Sequence, residues 1–152
     1  MSKQSHLSTA IQLLDIAEKI LVETYPVVKE PKLVLAVAED IYSALVSAMD
    51  ALVSNSDMVV HEGFESRFAA FNEIASANGF SKDDLDLVLE IHNMMVGHKD
   101  SPVEFSRKDR FVICDSGYNC SEISYENMQK YLFRARLFVK KVSSAVMGKE
   151  SS

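Results

Sequence analysis

Only two cysteines, Cys114 and Cys120, occur in the 152 residues, too few for a disulfide scaffold. The five glycines are scattered singly, so the chain has no glycine-rich loop to cradle a phosphate. It carries neither a Gly-x-Ser-x-Gly elbow nor a dinucleotide fingerprint. No N-terminal segment combines a basic start, an apolar run and a small-residue cleavage site. The most apolar stretch, Leu33 to Val53, is interrupted by Glu39, Asp40 and Asp50. Those carboxylates do not suit a membrane span of about 20 mostly apolar residues, so the stretch reads as a buried helix. These absences lead to the expectation of a cytoplasmic protein without a membrane segment.

What is present is ordinary for a globular domain: 47% hydrophobic and 25% charged residues. A chain of this length buries about two-thirds of its unfolded surface and can fold as one domain, 1–152, without metal or partner. The net charge of -6 conceals a gradient. Residues 1–98 carry 6 positive and 15 negative groups, whereas residues 99–152 carry 10 positive and 7 negative. Two readings are open. An acidic helix can pair with a basic one inside the bundle, or a basic outer face can await an acidic partner such as RNA.

Hydrophobic periodicity predicts five helices. The first covers Ser5 to Thr24, with Leu7, Ile11, Leu14, Ala17 and Leu21 as its apolar stripe and Pro26 as its stop. The second opens near Pro31 and runs to about Ser54. It is apolar nearly all round, apart from a line through Glu39, Ser43, Ser47, Asp50 and Ser54, and belongs at the centre. The third runs from about Phe64 to Ala77, before Asn78-Gly79. The fourth starts at Ser81, with Asp84 in a weak capping box, and stops at Gly97. Arg110 to Asp115 reads as a strand, Asp115-Ser116-Gly117 as a turn and Asn119 to Ile123 as the return strand. The fifth helix extends from Ser124 to about Met147, with residues 148–152 frayed. The expected fold is mainly α: a five-helix up-and-down bundle with a small β-hairpin inserted before the last helix.

Few residue patterns carry chemistry. A Glu-x-x-His pair would place two metal ligands on one helix face, but Leu89 and Met95 precede His92 and His98 at that spacing. Zinc would have to use Cys114, Cys120, His92 and His98, and the gap between the cysteines is too wide for the usual knuckle. No metal or other cofactor is expected. If the cysteines face each other across the strands they can oxidise, although a reducing compartment disfavours the bond. His6 falls at a frayed start and His61 in a loop, both solvated. Glu39 and Asp40 are the carboxylates expected to be partly buried. Adjacent helical residues point about 100° apart, so Glu39 is expected to pair with a base on another helix rather than share a site with Asp40.

Between the fourth and fifth helices, Arg107, Lys108 and Arg110 cluster beside Phe105 and Phe111. Cations interleaved with aromatics suit single-stranded RNA, where bases stack and phosphates meet charge. The alternative is an irregular connection whose phenylalanines plug the bundle. The helix order and this insert resemble the HEPN-like helical bundles and certain archaeal helical proteins. Ribonucleases of the HEPN group carry an Arg, four to six further residues, and then His. Here the permitted positions after Arg67 are Asn72, Glu73 and Ile74, and no His follows Arg107, so the resemblance brings no catalytic residue.

The fifth helix offers a candidate contact surface. Its inward stripe is Met128, Tyr131, Leu132, Ala135, Phe138, Val139, Val142 and Val146. Phe133 and Leu137 fall on the opposite side, flanked by Arg136 and Lys140 on one edge and by Lys130, Arg134 and Lys141 on the other. Apolar anchors inside a charged rim fit a partner-binding site. The expected function is a non-enzymatic binding or assembly module that self-associates. The second expectation is an RNA-binding or RNA-processing accessory protein of the HEPN-like kind, using the basic C-terminal third.

Overall fold

The computed structural model describes residues 2–100, 103–107, 110–114, 117 and 119–150, with side chains for all of these except 99–100, 103–107 and 148–150. Helix α1 opens over Lys3–Lys19, widens through one π-helical turn at Ile20–Thr24 and closes with Tyr25–Val28. Ser2 caps it by accepting the Ser5 N–H at 3.2 Å, so His6 lies in an ordered first turn rather than a frayed one. The π turn explains why Pro26 does not end the helix. A proline ring collides with the carbonyl four residues back, and the wider turn takes its Tyr25 N–H to Ile20 instead. Lys29, at φ 56°, then turns the chain.

The buried line of α1 is Leu7, Ala10, Leu14, Ala17 and Leu21. Ile11, expected in that stripe, is 44% exposed, because the alternating three- and four-residue spacing runs through its neighbour Ala10. Helix α2, Lys32–Ser54, occupies the centre as its apolar girth requires, with contacts to every other helix. Leu45 and Met49 have no exposed surface. Its end returns to the start of α1, where Lys3 Nζ donates to Asn55 Oδ1 at 2.7 Å.

Helix α3, Phe64–Ala75, closes in a 3-10 turn over Ser76–Asn78 and a left-handed Gly79. Helix α4, Lys82–Asp100, begins where the Asp84 carboxylate accepts the Ser81 backbone N–H at 2.9 Å. It passes through Gly97, the expected stop. Helix α5, Tyr125–Glu150, is capped by Ser124 Oγ, which accepts the Asn127 N–H at 3.1 Å, and it continues three residues beyond Met147. The Tyr25 and Tyr125 rings stack 5.0 Å apart, fixing α5 antiparallel to α1.

Before α5 the chain forms an antiparallel sheet in the order β1-β2-β3: Val103–Arg107, Arg110–Cys114 and Cys120–Ser124. The hairpin expected from the sequence is β2–β3, and β1 adds a strand on its other edge. Cys114 and Cys120 are directly paired across the strands and joined by a disulfide. Asp115 and Ser116 of the expected turn lie outside the described residues, as do Ser101, Pro102 and Lys108. Among the described residues, no helix is long and apolar enough to cross a membrane.

Candidate functional site

The outer face of α5 is set by its inner one. Met128, Leu132, Ala135, Phe138, Val139, Val142 and Val146 are buried, and Phe138 closes an aromatic cluster with Phe71 and Phe80 at 5.6 and 5.2 Å. At 100° per residue this burial turns Phe133 and Leu137 outward. They are 66% and 47% exposed, and among the described residues no helix covers them.

The rim is mostly engaged in ion pairs with its neighbours. Arg136 reaches Asp15 at 2.8 Å and Glu18 at 3.2 Å on α1. On the other edge Arg134 meets Glu90 at 3.2 Å, and Lys141 meets Asp84 at 2.6 Å, both on α4. Lys130 stands 4.0 Å from Glu126, one turn back on α5. The basic residues of α5 are thus used within the bundle, against carboxylates of α1 on one edge and of α4 on the other. Lys140 borders a groove of about 220 Å³ between α1 and α5, which Ile11, Leu14, Val139 and Ser143 also line.

In the sheet, Arg110 donates from one Nη to both carboxylate oxygens of Glu122 at 3.1 Å. Arg107 belongs to β1, but its side chain and all of Lys108 lie outside the described residues. Phe111 is buried against the bundle, as a plug would be.

Cys114, Cys120 and His92 are engaged with other groups of the protein. The disulfide takes both thiols, and His92 stacks on Phe64 with centroids 3.6 Å apart. A hydrogen bond at 3.2 Å joins His92 Nδ1 to the Tyr42 hydroxyl. Burial holds the His92 ring below its ordinary pKa, although Glu65 pulls the other way. Among the described residues no three His, Cys, Asp or Glu side chains converge to hold a metal ion.

Glu39 is exposed, and the carboxylate of the α2 polar line that meets a cation from another helix is Asp50, 3.7 Å from Arg67 Nε. Asp40 is half-buried, and burial followed by the charge of Glu39 raises its pKa.

A constellation that sequence reasoning missed lies at the end of the bundle where α1 starts and α2 finishes. A cleft of about 450 Å³ gathers His6, Asp50, His61, Glu62 and Arg67 from two helices, a loop and a third helix. Burial pushes the Asp50 carboxyl up, with Arg67 and then His6 opposing. Burial also pushes the His6 imidazole down, which Asp50 partly offsets. A cleft with shifted groups is a candidate site, and the sequence carries no signal for it because each residue is isolated in its own segment. Comparison of the chain with protein-family models and with curated proteins returns no match.

Proposed function

We propose that the chain is a non-enzymatic assembly module that pairs with a second copy of itself through the outer face of α5. The observation that carries this reading is the exposure of Phe133 and Leu137, 66% and 47%, one turn apart on a helix whose opposite face is packed on its neighbours. Large adjacent apolar side chains inside a charged rim are what the centre of an interface requires. The stripes of charge favour a second copy over an unrelated partner. Lys130 and Lys140 lie along α5, while Asp15 and Glu18 on α1 keep 62% and 54% of their side chains exposed beyond their pairing with Arg136. Such alternating stripes complement themselves when two copies meet about a two-fold axis.

An axis near Leu137 sets two α5 helices antiparallel. Phe133 of each copy then falls level with Lys140 and Lys141 of the other. RNA binding of the HEPN-like kind is the second reading. We place it second because Arg110, Arg134, Arg136 and Lys141 each face a carboxylate of their own chain. Sedimentation equilibrium over a wide concentration range tests the proposal. A dimer that the Phe133→Ser/Leu137→Ser variant converts to a folded monomer supports it. A monomer at every concentration rejects it, and salt-sensitive RNA binding by that monomer would install the second reading.

A further inference from the structure

We propose that the cleft at the start of α1 binds a small organic oxyanion, a phosphate or carboxylate group, through the Arg67 guanidinium flanked by His6 and His61. Arg67 is oriented by its neighbour Asp50. Its Nε faces Asp50 Oδ1 at 3.7 Å, and the Asp50 side chain is the less exposed of the two, 19% against 41%. Asp50 therefore holds one edge of the guanidinium. The remaining edge, Nη1 and Nη2, makes no hydrogen bond to the protein among the described residues, and Arg67 is one of the residues that line the cleft. Two parallel N–H donors at that edge match the two oxygens of a carboxylate or phosphate.

The imidazoles reinforce the same choice. His6 enters from α1 and His61 from the loop before α3, and among the described residues neither ring makes a hydrogen bond. Both can donate to an anion. The carboxylates do not cancel this preference. Asp50 is already matched to Arg67, and Glu62 is exposed to water. The cleft is larger than an inorganic ion needs, and Val53, Met58 and Val60 supply an apolar wall for the body of an organic ligand. This inference is independent of self-association, since the cleft lies at the far end of α1 from the Tyr25–Tyr125 stack and draws nothing from α5.

Amide spectra of the full chain, titrated with inorganic phosphate, phenyl phosphate and benzoate, test it. Saturable shifts confined to residues around His6, His61 and Arg67 are expected, with phenyl phosphate binding more tightly than inorganic phosphate. Arg67→Gln is expected to weaken binding about tenfold or more, since both charge-assisted bonds are lost, and Arg67→Lys to retain part of it. Because Arg67 is partly exposed these variants fold, and His61→Gln, in a loop, gives an independent loss. Lys19→Gln leaves binding unchanged. The proposal is overturned by shifts that do not saturate, by equal shifts with chloride at matched ionic strength, or by an Arg67→Gln titration identical to that of the wild type. Broadening of the same amides by Mn²⁺ with no response to any of the three anions also overturns it.

Discussion

Lys141 Nζ lies 2.6 Å from Asp84 Oδ2, tying α5 to the first turn of α4. The same carboxylate accepts the Ser81 backbone N–H at 2.9 Å, so one side chain caps a helix and joins two. Burial by itself would raise the Asp84 pKa, but the hydrogen bonds from Lys141 and Ser81 outweigh it and the net shift is downward. A depressed folded-state pKa contributes stability that is present above the unfolded value, about 3.9, and is lost as pH falls through the folded one. Asp84→Asn is therefore expected to cost about 1 kcal/mol at neutral pH and to flatten the acid limb of the stability profile. Thermal melts between acid and neutral pH check both. Equal losses at every pH would deny the carboxylate its charge-dependent role.

Asp50 has the opposite sign. Burial raises its folded-state pKa, so the charged form is less favoured in the native chain than in the unfolded one, and stability declines as pH rises from the unfolded value through the folded one. Asp50→Asn should leave the melting temperature at neutral pH unchanged or higher while weakening anion binding, because Arg67 loses its anchor. A stabilised variant with reduced phenyl phosphate affinity would mark Asp50 as kept for function rather than for folding. A large fall in melting temperature would show that Asp50 is structural.

Leu45 sits at the centre of α2 with no exposed surface. Leu45→Ala is expected to destabilise the fold by about 2–5 kcal/mol in denaturant unfolding. A change below about 0.5 kcal/mol, the level of an exposed position, would remove α2 from the core.

The Cys114–Cys120 link closes a short loop between β2 and β3. Replacing both cysteines by serine should lower stability by about 2 kcal/mol, the effect of freeing so short a loop in the unfolded chain. Alkylation of the unfolded, unreduced protein followed by mass spectrometry should add no label. Two labels per chain would show the thiols to be free.

Much of the architecture was legible because helical periodicity is local. The near-continuous apolar surface of residues 33–53 placed α2 at the centre, and the stripe from Met128 to Val146 turned Phe133 and Leu137 outward before any contact was known. Strand β1 is not legible in the sequence because it satisfies its backbone only by pairing with β2, as Glu104 does opposite Ile113, and a connection and a strand look alike until a partner is present. Pro26 reads as a helix stop for a related reason, since the π turn that accommodates it is a backbone adjustment rather than a residue pattern. What the basic residues of α5 meet was decided by helix order alone: Arg136 and Glu18 are 118 residues apart in sequence and 3.2 Å apart in space. The cleft is the extreme case. His6, Asp50, His61 and Arg67 become one surface only when the start of α1 packs beside the end of α2, because spacing along a chain dictates which residues share a helix face, while packing decides which faces meet.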